Sequence, residues 1–223
     1  MFPKNVVGSE MKHLFYEEWK NKRVKKIESI FGRDWFCGKS ILELGAAHGD
    51  VGLHFLKLGA EVIFTDIREE YLQSIKNKVK DLHYTAYTLR IDQNERYDLG
   101  HKFDLVIHMA VLYCLENWRQ DLECAMKHTD CMILDTAFNK GGAAFTQEDV
   151  EGHLKDLGCK FIRLDTSDLN TDWSWLTNGQ MIKHKYDWTH ESLEYQKPNS
   201  NFLNSQLPPK HDVWLRRFWI VLK

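Results

Sequence analysis

The sequence predicts an α/β fold, a mostly parallel β-sheet with helices packed on both faces. Three observations carry this. Short runs that are apolar almost throughout recur at 39–44, 61–65, 103–107, 131–134 and 160–164, with one more inside 84–91. Segments with apolar residues at helical spacing separate them. Several runs stop at an acid: Glu43 lies near the end of the first, and Asp66, Asp92 and Asp135 follow later ones. A strand that is apolar on both sides of its pleat is buried on both faces, and that requires two layers of helix.

Residues 12–31 read as the first helix. Phe15, Trp19, Val24, Ile27 and Ile30 fall on its apolar side. Glu17, Glu18, Lys20, Lys22, Arg23, Lys25 and Lys26 fall on the other, so the basic tract 20–26 reads as a solvated face, Arg23 included. Gly32 ends the helix. The first strand, 39–44, runs into a turn holding Gly45 and Gly49. Val51, Phe55 and Leu58 then mark an amphipathic helix that stops at Gly59. The second strand, 61–65, is followed by Asp66. Leu72, Ile75 and Val79 mark the next helix, and a third strand within 84–91 stops at Asp92. The fourth strand is 103–107, followed by a helix on Trp118, Leu122 and Ala125. The fifth is 131–134, ending at Asp135. Val150, Leu154 and Leu157 give a helix closed by Gly158, and the sixth strand is 160–164. There the alternation stops. Residues 166–212 are rich in aromatics (Trp173, Trp175, Tyr186, Trp188, Tyr195, Phe202) and contain His184, His190 and His211. A last strand covers 216–222.

Composition bounds the partners. The 223 residues are 43% hydrophobic and 28% charged, enough for one domain with a sizeable core. A formal net charge of −2 gives no general electrostatic grip on nucleic acid or on an anionic membrane. No apolar run reaches the ~18 residues of a membrane span, and the N-terminus lacks a signal-like apolar core. The five cysteines are odd in number and have no CxxC spacing, so they read as buried, reduced thiols of a soluble, cytoplasmic protein. The histidines of 166–212 match no metal-ligand spacing, and no metal site is expected.

The stretch Ile41-Leu42-Glu43-Leu44-Gly45-Ala46-Ala47-His48-Gly49-Asp50 organises the chain. It reads as a buried strand, a turn whose backbone can come close to a ligand, and a helix N-terminus with unpaired N–H groups. Asp66 stands about 20 residues beyond the turn, where an acid binds the ribose hydroxyls of a nucleotide-type ligand.

With these residues in view, the chain resembles a class I S-adenosylmethionine-dependent methyltransferase over about 36–165 plus the terminal strand. The resemblance implies a seven-stranded Rossmann-like methyltransferase sheet, mostly parallel with an antiparallel C-terminal strand and helices on both faces. It implies an N-terminal helical lid at 1–35, a cofactor-binding core at 36–165, an acceptor-side insertion at 166–212 and a terminal strand at 213–223. Glu43-Leu44-Gly45-Ala46-Ala47-His48-Gly49 is similar to the family's first motif, which wraps the methionine part of S-adenosylmethionine. Ala47 replaces its middle glycine. The loop residues assigned to the cofactor are Gly45, Ala46, His48, Gly49 and Asp50, behind Glu43. Asp66 would take the ribose hydroxyls and Ile67 would pack on adenine. Asp92-Gln93 would take the adenine amino group, and His108 would stand at the end of the fourth strand beside the cofactor. Arg23 is a candidate for the cofactor's carboxylate, although a surface arginine is the plainer reading. For His108 too the plainer reading is a histidine satisfied within the fold, without a catalytic role.

Methyl transfer from a sulfonium needs in-line positioning and exclusion of water more than acid–base chemistry, so the sequence names no catalytic residue. His13, Tyr16, His108, Tyr113, His184, His190 and His211 are candidate bases. The family's Asp/Asn-Pro-Pro-Tyr/Phe tract, which handles planar amino groups, is replaced by His108-Met109-Ala110-Val111. Together with Tyr113-Cys114-Leu115-Glu116-Asn117-Trp118, which is similar to the small-molecule branch, this points to a small-molecule acceptor. An RNA methyltransferase using the 20–26 face, an idle domain that only binds, and a nicotinamide-dependent oxidoreductase are the competing readings. The last lacks a full G-x-G-x-x-G fingerprint.

Overall fold

A computed structural model describes residues 9–80, 82, 84–138, 145–164, 175–177, 180–182 and 215–223, with side chains described at 19–80, 82, 84–136, 145–164 and 217–223. The strands are β1 Ser40–Leu44, β2 Glu61–Asp66, β3 Ala86–Arg90, β4 Leu105–Met109, β5 Cys131–Phe138, β6 Lys160–Leu164, β7 Trp175–Thr177, β8 Gln180–Ile182 and β9 Leu215–Leu222. The helices are α1 Ser9–Phe31, α2 Asp50–Leu56, α3 Glu69–Val79, α4 Trp118–Lys127 and α5 Gln147–Asp156. Seven strands form one sheet in the order β3-β2-β1-β4-β5-β9-β6. β1 to β5 pair in parallel, and β9 is inserted antiparallel between β5 and β6. β7 and β8 form a separate antiparallel pair inside the aromatic segment, where the sequence predicted no regular element. The rest of that segment lies outside the described residues.

The pleat divides the core into two layers. Ile41, Leu105, Ile107, Ile133, Phe218 and Ile220 face one cluster, which also takes Trp19, Val24 and Ile27 of α1 with Val51 and Phe55 of α2. Leu42, Leu44, Val106, Met132, Leu134, Trp219 and Val221 face the other, under Leu122 of α4 and Val150 and Leu154 of α5. Neighbouring residues of one strand thus enter opposite layers, as the period of two requires.

Three expectations need correction. The fourth strand starts two residues late: the Asp104 backbone N–H donates to the Ser40 hydroxyl, and the Asp104 carboxylate accepts the Ser40 backbone N–H and hydroxyl. Arg23 is not a surface residue. It is fully buried, its Nε donates to Asp135 at 2.8 Å and its guanidinium lies 4.0 Å over the Trp19 ring. β5 runs on to Phe138, past the predicted end at residue 134, so Asp135 lies within the strand, and the arginine pairs its buried carboxylate. Among the five thiols only Cys124 and Cys159 are buried, while Cys37 and Cys114 are exposed.

α2 approaches the sheet so closely that it tolerates only glycine at its third position. A Cβ on Gly52 would lie 2.4 Å from a Glu43 oxygen and 2.5 Å from the Phe64 ring. Gly152 in α5 has nothing within 4 Å of that position. The same substitution therefore has opposite signs at the two sites. In urea denaturation, Gly52→Ala is expected to lose about 1–3 kcal/mol by overpacking, and Gly152→Ala to gain roughly 0.5–1 kcal/mol from helix propensity.

Candidate functional site

The candidate site lies where the parallel strands end, at the C-terminal tips of β1, β2, β3 and β4, the usual binding edge of an open α/β sheet. Its centre is the loop from β1 to α2. Gly45 has φ +64°, and a Cβ there would meet Val111 at 2.3 Å, with the Gln93 amide oxygen at 3.3 Å. The room this glycine leaves is thus partly filled by the protein itself. Ala47 has φ +48°, in the left-handed region, so the departure at this position is conformational rather than a matter of space. Ala110, just past β4, has φ +58°. Two non-glycine residues in that region flank the candidate site, where strained backbone tends to gather.

Two acids hold the loop. Gly49 is the N-cap of α2 and has no side chain to cap with. Glu43 supplies the missing acceptor from β1, taking the Gly52 N–H on Oε2 at 3.1 Å. Glu43 is 5% exposed, which excludes a surface acid. Burial pushes its carboxyl up from 4.5 to about 8, against the pull of the Gly52 N–H and with the help of Asp50 and Asp66. On the other side, Asp66 Oδ2 accepts the Ala47 N–H at 3.0 Å. Asp66 is 3% exposed; burial pushes it up, but hydrogen bonds from Arg68 and Ala47 outweigh this and keep it below the usual carboxylate range. It is not the N-cap of α3, a position held by Arg68.

The remaining predicted residues divide by exposure. Ala46 is buried, and its N–H donates to Thr65. His48 is exposed, its ring edge-on to Tyr71 at 4.7 Å. Asp50 is half-buried and accepts Lys78 Nζ at 2.8 Å. Ile67 is 42% exposed, an apolar side chain left open beside the Asp66 carboxylate. Asp92 closes a turn by accepting the Asn94 N–H on Oδ1.

Gln93 and His108 converge on a residue the sequence reading missed. His108 is fully buried on the α4 side of β4, and its Nε2 meets Asp121 Oδ2 at 2.5 Å. Gln93 Nε2 donates to Asp121 Oδ1 at 3.2 Å, and so does the Tyr97 hydroxyl. Burial, and next the Asp121 charge, push the Tyr97 hydroxyl well above its ordinary value. The contact with Asp121 pairs one ring nitrogen of His108, while Nδ1 is buried without a hydrogen-bond partner among the described residues. Asp121 also fixes the Gln93 amide, with nitrogen toward Asp121 and oxygen toward Gly45. Asp121 sits on the inner face of an amphipathic helix, where a lone acid at a core position is the signal that could have found it. Tyr113 is half-buried after β4. The side chains of His13, Tyr16, His184, His190 and His211 lie outside the described residues. Among the described residues, no three His, Cys, Asp or Glu side chains group as metal ligands, and no helix is long and apolar enough to cross a membrane.

The raised Glu43 carboxyl has a consequence for stability. The folded protein holds this proton between pH 4.5 and about 8 while the unfolded chain releases it, so stability falls as pH rises through that window. The loss is on the order of 5 kcal/mol. Glu43→Gln keeps an acceptor for the Gly52 N–H and cannot ionise. Urea midpoints measured from pH 5 to 8 are expected to fall more steeply in the wild type than in Glu43→Gln, and parallel curves would refute the buried neutral acid.

Comparison with known proteins identifies the fold that carries this site. A family model described as a methyltransferase domain matches residues 42–131. No curated protein matches the chain. Among solved structures, magnesium protoporphyrin IX methyltransferase from Synechocystis PCC 6803 with bound SAM aligns over 100% of this chain and 88% of its own, with TM-score 0.64 and 16% identity. TehB from Haemophilus influenzae aligns over 65% of this chain and 51% of its own, with TM-score 0.54 and 16% identity. A putative RNA methyltransferase, PH1948 from Pyrococcus horikoshii, aligns over 64% and 71%, with TM-score 0.50 and 18% identity. Residues 42–131 match the methyltransferase-domain family, and the seven-stranded sheet around them has the fold of the S-adenosylmethionine-dependent methyltransferases it resembles.

Proposed function

We propose that this protein transfers the methyl group of S-adenosylmethionine to a small-molecule acceptor and releases S-adenosylhomocysteine. The observation that carries the reading is the joining of the two halves of the site: the β2 acid Asp66 is hydrogen-bonded to the Ala47 N–H of the glycine loop. The residues present suit the cofactor. Ile67 offers an exposed apolar side chain beside a carboxylate, and Gln93 turns an amide oxygen toward the tip of β1. On this reading Gly45, Ala46, His48, Gly49 and Asp50 line the methionine part, Asp66 takes the ribose, Ile67 covers adenine, and Asp92 with Gln93 reads its amino group. When bound, the cofactor supplies an already activated methyl group. The protein's task is to orient the acceptor in line and exclude water.

Three further assignments follow. Glu43 and His108 act behind the site, Glu43 by capping α2 and His108 by holding Asp121. Arg23 is committed to Asp135 and does not serve the cofactor's carboxylate. The acceptor is assigned to residues 9–23 and 166–212 by the family resemblance; most of these side chains lie outside the described residues. An RNA acceptor is disfavoured, because the burial of Arg23 removes one cation from the basic face of α1. The five unpaired thiols suit a reducing compartment such as the cytoplasm.

Calorimetric titration with S-adenosylmethionine, S-adenosylhomocysteine and NAD tests the reading. The first two are expected to bind and NAD to fail. Asp66→Ala, by leaving the ribose hydroxyls unpaired, is expected to weaken S-adenosylhomocysteine by at least about tenfold. Unchanged affinity in that variant would overturn the assignment of Asp66.

A further inference from the structure

Each oxygen of the Asp66 carboxylate is filled twice. Oδ1 accepts the Arg68 backbone N–H and the Arg68 Nε, both at 3.0 Å. Oδ2 accepts the Ala47 N–H at 3.0 Å and Arg68 Nη2 at 3.3 Å. A carboxylate offers about four lone-pair positions. None is left for a ribose hydroxyl. Two of the four donors are backbone groups, held by the glycine loop and by the start of α3, and they cannot leave without undoing those turns. The other two belong to a guanidinium whose side chain is 49% exposed, against 3% for its partner. That guanidinium also lies 3.9 Å over the ring of Tyr71, which provides a resting place that does not depend on Asp66.

We propose that Arg68 sets the affinity of the cofactor site by competing with it: the guanidinium closes Asp66 in the empty protein and must swing off the carboxylate before the ribose hydroxyls can be accepted. The inference rests on the reading of Asp66 as the ribose acid. The competitor has a use of its own, because it pairs a carboxylate that would otherwise stand buried and uncompensated at the end of β2. It also gives the site an unusual salt response. Salt screens a half-exposed ion pair, so it weakens the competitor and leaves the neutral hydroxyl contacts untouched. Affinity for the ribose then rises with ionic strength.

The experiment is calorimetric titration of S-adenosylhomocysteine into wild type, Arg68→Met and Asp66→Asn, at low (about 0.05 M) and high (about 0.5 M) salt. Methionine keeps the apolar stem and removes the charge, while the Asp66 carboxylate keeps the backbone N–H groups of residues 47 and 68; a urea midpoint measured beside each titration verifies that the variant is folded. An exposed ion pair of this kind amounts to a few-fold in an equilibrium constant. At low salt Arg68→Met is expected to bind about two- to fivefold more tightly than wild type. At high salt the gap is expected to close because wild type improves. Equal or weaker binding by Arg68→Met at low salt overturns the proposal, as does a wild-type affinity that falls with salt while the variant's does not. The Asp66→Asn arm separates the two claims. If it binds like wild type, the ribose reading fails and the inference falls with it. If it loses binding while Arg68→Met gains none, only the role of Arg68 is overturned.

Discussion

The site depends on one buried hydrogen bond, from the Gly52 N–H of α2 to the Glu43 carboxyl of β1. A helix that begins at a glycine has no side chain with which to satisfy its first turn, and Gly49 is such a residue. The acceptor therefore comes from the neighbouring strand, across nine residues of chain. This arrangement demands that α2 lie against the sheet, and that in turn demands glycine at 52. It also demands an acid that is neutral at ordinary pH, because an ionised carboxylate at that depth would be poorly compensated. With α2 fixed, the loop between Gly45 and Gly49 has both ends anchored, and Asp66 pins its middle at Ala47. The left-handed conformation of Ala47 is sustained by these three attachments.

Around that loop the protein places its polar groups in buried pairs rather than leaving them to solvent. Arg23 with Asp135 fastens α1 to β5. Asp121 gathers His108, Gln93 and Tyr97 behind β4. Glu151 receives Gln147, Arg163 and Trp219, tying α5 to β6 and to the antiparallel β9. Each is costly to break and contributes little net stability compared with an apolar packing of equal volume. What such pairs supply here is orientation. The Gln93 amide has one direction because Asp121 accepts its nitrogen, and α1 has one position because Arg23 must reach Asp135. On the proposed methyl-transfer reading, a site that holds an acceptor in line needs this fixity more than it needs reactive groups.

The sequence alone determined the layered fold and the place of the candidate site. Apolar runs of strand length, separated by helical periodicities, admit little besides a doubly covered sheet, and the acids at strand ends mark its binding edge whatever the ligand. The pattern of residues placed a strand at 216–222 but not its direction; that β9 is antiparallel was implied only by the family resemblance. Tertiary structure decided what each polar residue faces. Periodicity placed Arg23 on a solvated side, but its partner lies 112 residues away within β5. His108 was placed at the right strand end, yet pleat parity turned it to the α4 layer, where Asp121 was waiting. Asp66 was recognised, but not that Arg68 and Ala47 fill it. Spacing along a chain reports periodicity and order, which suffice for layers and strand ends. The partner of a buried charge is set by which surfaces meet when the layers close, and only the folded structure contains that.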